Sequence, residues 1–241
     1  MPDTPFPRYA IYYTPARDHP LTKAAFEWLG RDAFDKSTNP STRNAYTEPV
    51  SEPYRYGFHA TLKAPFRLAS DCSLEELEDA LRTFADVCPS CPIGPLRIGL
   101  IDGFFALVPA YPTPAVRGFA SRVVQEFDRF RAPMNEAELQ RRMDRSLEET
   151  EINNLVCWGY PYVLDRFRFH LTLSDRLPAA LQPKTRERLT AIFETHLDED
   201  YRLNTLSLFV QDNPTSVFYV RSTFPLRAPQ LSVQRVDGKA S

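Results

Sequence analysis

The chain contains four histidines, and two of them stand in the same setting. His59-Ala60-Thr61-Leu62 and His170-Leu171-Thr172-Leu173 each place a hydroxyl two residues after an imidazole. In an extended strand the side chains alternate faces, so residues two apart share a face. The first copy, read as a strand from Arg55 to Leu62, is predicted to set Gly57, His59, Thr61 and Lys63 opposite Tyr56, Phe58, Ala60 and Leu62. The second, from Arg166 to Leu173, sets Arg168, His170, Thr172 and Ser174 opposite Phe167, Phe169, Leu171 and Leu173. The copies lie 111 residues apart (170 − 59), close to half of the 241-residue chain. One site built from two related halves is the reading that follows.

Such a pair suits displacement at a phosphodiester. One base must take a proton from the attacking oxygen while an acid on the far side of phosphorus gives one to the leaving oxygen. Imidazoles titrate near neutrality, so one can stand neutral and the other charged. Which histidine takes which role is open at this stage. Thr61 and Thr172 can donate to the non-bridging oxygens as charge gathers on them. Lys63 and Arg168, on the histidine faces by alternation, are candidates for substrate binding. Trp158 and Tyr160, in the rigid run Cys157-Trp158-Gly159-Tyr160-Pro161-Tyr162, could form a wall for a planar ring. No metal and no cofactor is called for by this scheme. The chain has no His-x-His, no His-Glu-x-x-His, no phosphate-cradling Gly-rich loop and no serine elbow. His19 precedes Pro20 in a turn and His196 lies near a helix end, so both read as structural. Arg55, Arg166 and Arg176 fall at strand ends and read as solvated.

The elements that must position these residues can be read in order. Arg8–Tyr13 is a β-rich run, followed by a helical stripe (Leu21, Ala24, Ala25, Trp28, Leu29) closed by Gly30. Ser37 to Pro53 is polar and proline-punctuated and reads as a loop. Ser73 and Glu76 form a capping box for a helix with Leu74, Leu77, Leu81, Phe84 and Val87 inward. Leu96–Leu100 and Phe104–Val108 read as a hairpin turning at Asp102-Gly103. A helix from Thr113-Pro114 turns Val116, Phe119, Val123 and Phe127 inward. Asn135 and Glu138 could cap a helix of alternating charge (Arg141, Arg142, Asp144, Arg145, Glu148, Glu149), either a solvated surface helix or a lid. After the second motif come a helix from about Pro183, with Leu189, Ile192, Phe193 and Leu197 inward, and strands over 201–211 and 217–224. Each histidine strand is thus followed by a helix and a strand pair, which points to an internal duplication.

The expected fold class is α+β: a bilobal pseudo-twofold duplication of two mostly antiparallel sheets, helices on their outer faces, and a central groove. The expected division is 1–110 for the first lobe, 111–226 for the second with a helical insertion at about 134–157, and a flexible tail at 227–241. Lys and Arg number 29 against 31 Asp and Glu, a net charge of −2, which argues against a surface coated for long nucleic acid. A short RNA terminus as partner stays open. No run is long enough to span a membrane and no basic region precedes an apolar one at the start, so a cytoplasmic setting is the default. No obligate protein partner is evident. Of four cysteines, Cys88-Pro-Ser-Cys91 lacks the second pair a structural zinc needs, and ordinary reduced thiols are expected.

With both motifs in view, the chain resembles the two-histidine (2H) phosphoesterase superfamily, whose hallmark is one His-x-Thr/Ser motif in each lobe of a pseudo-symmetric α/β fold. The resemblance covers most of the chain in element order. It implies opening of 2′,3′-cyclic or related cyclic phosphodiesters without metal, with His59 and His170 catalytic and Thr61 and Thr172 on the phosphate. His59-Ala60-Thr61-Leu62-Lys63-Ala64-Pro65-Phe66 and Trp158-Gly159-Tyr160-Pro161-Tyr162 look like a bacterial branch associated with phosphonate utilisation. That likeness implies a small cyclic phosphate, such as one of ribose, as substrate. It also implies that the lobes can be interleaved, with both termini in one of them. A protein that binds a phosphorylated small molecule without turning it over is the alternative of a different class.

Overall fold

The computed structural model describes residues 7–37, 49–143 and 146–228. In chain order the elements are β1 (Arg8–Tyr13), α1 (Pro20–Leu29), α2 (Ser51–Tyr56), β2 (Ala60–Phe66), α3 (Leu74–Val87), β3 (Cys91–Gly94), β4 (Leu96–Ile101), β5 (Phe104–Pro109), α4 (Pro114–Glu126), α5 (Glu136–Met143), α6 (Glu149–Trp158), β6 (Leu171–Thr172), α7 (Gln182–Phe193), β7 (Tyr201–Leu203), β8 (Thr205–Gln211) and β9 (Tyr219–Pro225). The fold is α+β, with every strand pair in its sheets antiparallel.

Local chemistry sets most of these boundaries. Pro20 opens α1 at a position whose missing N–H costs nothing, and Gly30 closes it in the left-handed conformation at φ 72°. Ser73 and Glu76 form the reciprocal capping box of α3, and Asn135 and Glu138 make the same exchange before α5. Asp102 and Gly103 both take positive φ, 46° and 89°, as a two-residue hairpin turn requires.

Four strands form one sheet in the order β2-β1-β8-β9, and three form another in the order β4-β5-β6, while β3 pairs with β7. The first sheet therefore draws β1 and β2 from before residue 110 and β8 and β9 from after it. Each motif strand is the edge of its sheet: β2 lies against β1 and β6 against β5. Helices α3 and α4 pack near the first sheet, and α1 and α7 pack together with α7 on β4. One large core joins both sheets, holding Leu62, Leu107, Phe127, Leu171, Phe193 and Leu208 among others. A second, smaller cluster (Ala10, Tyr12, Ala33, Phe209, Phe218) covers the other face of the first sheet. Strand alternation in β1 explains the division, with Tyr9, Ile11 and Tyr13 in the large core and Ala10 and Tyr12 in the small one.

Several expectations need correcting. Arg55 and Tyr56 end a helix, and the strand starts only at Ala60. The break is Gly57, at φ 79° and ψ 173°, a combination essentially confined to glycine. In the second copy only Leu171 and Thr172 join a ladder, opposite Leu107 and Ala106. Val87, expected inward, is 63% exposed because Cys88 behind it is buried in its place. The expected single insertion helix is two, α5 and α6, and the closing strand divides at Asn204 into β7 and β8. Asp144, Arg145 and the tail from residue 229 lie outside the described residues, as do 38–48 of the expected loop. Among the described residues no helix is long and apolar enough to cross a membrane.

Candidate active site

The expected alternation holds from Phe58 to Leu62 and from Phe169 to Leu173. Phe58, Ala60 and Leu62 are buried, as are Phe169, Leu171 and Leu173. His59, Thr61, His170 and Thr172 are each half-buried.

Both rings are fixed by the same bond. His59 Nδ1 lies 2.8 Å from the carbonyl oxygen of Gly57, and His170 Nδ1 lies 2.8 Å from that of Arg168. A carbonyl can only accept, so Nδ1 carries the hydrogen in each ring and Nε2 carries the lone pair. In both motifs the acceptor is the residue two places before the histidine. Thr61 Oγ1 sits 3.3 Å from His59 Nε2, where the hydroxyl can donate to it.

The surroundings of the two rings differ. His59 stacks on Tyr12 with centroids 3.8 Å apart and planes 22° from parallel, and Tyr56 and Phe209 flank it. His170 has Phe104 beside it at 5.8 Å. Packing around His59 pushes its pKa down to about 3, against the pull of the Gly57 carbonyl; charge on His170 and Arg31 pushes the same way. His170 is lowered too, by burial first and then by the charge of Arg168, with its backbone carbonyl opposing. The charge of His170 is thus among the causes that lower His59, while the charge that acts on His170 is that of Arg168. Both rings therefore disfavour the charged form and stand as neutral imidazoles near neutral pH.

Lys63 is not on this face. Cross-strand partners share a face, and the register runs Tyr12 to Thr61, then Ile11 to Lys63, so two residues of β2 oppose one of β1. That β-bulge turns Lys63 to the side of Ile11, under α4. There it is 3% exposed, with Nζ 2.9 Å from Asp128 Oδ1 and 3.2 Å from the Val124 carbonyl. The site thus gains no charge from Lys63. Arg168 has an exposed side chain and serves His170 through its carbonyl. Trp158 ends α6 half-buried, and beyond Gly159 the half-buried Tyr160 packs edge-on to Tyr162. Tyr160 also raises the pKa of Tyr12, after burial and Tyr56. Tyr12, Tyr56 and Gly57 were not singled out from sequence; the available signal was a glycine two residues before His59. Among the described residues no three His, Cys, Asp or Glu side chains converge as a metal site.

Residues 61–219 match a family model described as "Protein of unknown function (DUF1045)". The chain belongs to that family. It is 37% identical over 176 residues to a protein of Janthinobacterium sp. (strain Marseille) named "Ribose 1,5-bisphosphate phosphokinase PhnN", covering 70% of this chain and 39% of that one. A protein of the same name from Laribacter hongkongensis (strain HLHK9) is 32% identical over 236 residues, 96% of this chain and 55% of that one. The chain spans about half the length of the curated relatives it matches, or less. Among solved structures, Escherichia coli LigT complexed with 3′-AMP aligns over 91% of this chain and 98% of its own, at 13% identity and a TM-score of 0.42.

Proposed function

We propose that this DUF1045 protein is a phosphoesterase of two-histidine type that opens a cyclic phosphodiester on a small ribose phosphate. The observation that carries the reading is the matched locking of His59 and His170 through Nδ1, which leaves both Nε2 atoms for chemistry. His59, the ring held more firmly neutral, is the base. It takes a proton from water as the water oxygen bonds to phosphorus. His170 is the acid, charged once the anionic phosphodiester arrives and offsets its burial, and it protonates the departing ribose oxygen. Thr61 and Thr172 donate to the non-bridging oxygens, which gain charge in the transition state. All proton movements are covered by the two rings, so the scheme calls for no metal.

The relatives' name suggests the sugar. For hydrolysis to yield ribose 1,5-bisphosphate, the cyclic ester must join O1 and O2 of a ribose 5-phosphate. Water then adds at phosphorus, the bond to O2 breaks, and O2 leaves with the proton from His170. This fits the phosphonate-utilisation setting that the sequence resemblance implies. The test is to follow ribose and nucleoside cyclic phosphates by phosphorus NMR with chelator present. Turnover with a bell-shaped pH profile is expected, falling about 10²- to 10⁴-fold in His59→Ala or His170→Ala. Tight binding without product, or full activity in the double variant, would overturn the proposal.

A further inference from the structure

The short helix before the first motif has no cap of its own. Val50 precedes α2 and offers no side-chain acceptor. The acceptor comes from 124 residues away. Asp175 Oδ2 accepts from the Ser51 amide at 2.9 Å and the Ser51 hydroxyl at 2.5 Å. Its Oδ1 accepts from the Glu52 amide at 2.7 Å, and its own amide donates to the Pro49 carbonyl at 2.7 Å. Asp175 stands five residues after His170 on a firmly held stretch. Leu173 and Ser174 bond to the backbone of Phe105 in β5, and the Trp28 indole donates to the Leu173 carbonyl at 2.7 Å.

The other end of α2 is held as well. Arg31, 3% exposed, donates from Nη1 to the carbonyls of Tyr54 and Arg55 at 2.5 and 3.3 Å. The Gly57 amide closes the last turn on the Pro53 carbonyl at 2.8 Å. Gly57 is then the next residue to act, since its own carbonyl takes the His59 Nδ1 hydrogen. A six-residue helix is too short to hold its shape alone, so its end positions are set by whatever grips it.

We infer that Asp175 is a positioning residue for His59: from the second motif's segment it fixes α2, and through the Gly57 turn it fixes the ring of the first motif. The first half of the site then depends on the second for its geometry, and the His59 ring is held by a carboxylate that does not touch it. The kinetic side of this inference rests on the proposed acid–base chemistry; the ring geometry does not.

The experiment compares wild type with Asp175→Ala and Asp175→Asn on the full chain. Nitrogen NMR of the imidazoles reads the tautomer of each ring, and kinetics on whichever cyclic phosphate is turned over reads the consequence. In Asp175→Ala the His59 pattern is expected to move from pure Nδ1–H to an exchanging mixture while His170 keeps its pattern. The rate constant kcat is expected to fall about 10- to 100-fold, with KM within about threefold. Asn keeps one acceptor oxygen and should give a smaller loss of the same kind. If the alanine variant does not fold, the asparagine variant decides alone. An unchanged His59 pattern in a folded variant overturns the inference whatever the activity does. A changed pattern in a protein with no activity on any substrate would count against the phosphoesterase reading and leave this coupling supported.

Discussion

The pair formed by Lys63 and Asp128 should be asymmetric to mutation, and the structure gives the size of the asymmetry. Lys63 is 3% exposed in its side chain and Asp128 23%. Asp128 has two further bonds, from Arg131 Nε at 2.8 Å and Nη2 at 3.0 Å. Burial lowers the pKa of Lys63, with Asp128 opposing; burial alone would raise Asp128, but Arg131 and Lys63 together bring it down. Lys63→Met keeps the stem packed and leaves Asp128 its Arg131 fork, so only the Val124 carbonyl loses a partner, at about 1 kcal/mol. Asp128→Ala strands a buried ammonium and leaves a half-buried guanidinium without its carboxylate. Breaking a buried pair costs about 3–5 kcal/mol, and the partial exposure of Asp128 places this one at about 3. For a chain of this size the Tm falls should be about 2–4 °C and about 6–12 °C respectively. Once Lys63→Met has removed the ammonium only the Arg131 guanidinium lacks its carboxylate, so the double variant should cost about 2 kcal/mol, roughly 2 short of additivity. Denaturant melts of all four proteins test this. Equal costs for the two single variants, or an additive double, would refute the assignment of Lys63 to structure.

Two further outcomes follow from the His59 neighbourhood. The unfolded ring takes its proton near 6.5 and the folded ring only near 3, so folding is favoured fully above about pH 6.5 and loses stability as pH falls toward 3. Because His59 is half-buried, the loss at pH 4.5 should be about 1 kcal/mol by urea titration, and absent in His59→Gln; identical pH responses would count against it. Gly57→Ala would put a Cβ 2.7 Å from that of Ala33 at φ 79°, costing about 2–3 kcal/mol and loosening His59, so both Tm and any measured turnover should drop. A Gly57→Ala protein with wild-type melting would show that the turn is not strained as described.

What could be read in advance was whatever depends on near neighbours in sequence. Period-two alternation found the buried rows beneath both histidines, the box at Ser73 and Glu76 found the start of α3, and Asp102-Gly103 found the hairpin. What escaped depends on distant residues. Helix α2 carries no signal of its own, because its cap arrives from Asp175 and its last carbonyls are taken by Arg31. Strand β3 is four residues long and exists by pairing with β7, more than a hundred residues on. Lys63 illustrates a third kind of miss: alternation assumes an unbroken ladder, and one bulge moved a cation from the site to the core.

The same bulge bears on how the site would treat charge. Had Lys63 remained beside Thr61, its ammonium would add to the forces keeping both imidazoles neutral, and an arriving phosphate would pair with the lysine first. With Lys63 held by Asp128, an anion bound as proposed would meet the His59 ring and the Thr61 hydroxyl without that ammonium beside them. An anion meeting two neutral, desolvated imidazoles gains most by charging one of them, and His170, with Phe104 beside it and no tyrosine stacked beneath, is the less constrained of the two. The matched Nδ1 locks make the rings equivalent in orientation. Their surroundings differ: burial, helped by the charge of His170 and Arg31, takes His59 down to about 3, while on His170 burial acts beside the charge of Arg168, and unequal surroundings are what the proposed acid–base pair requires.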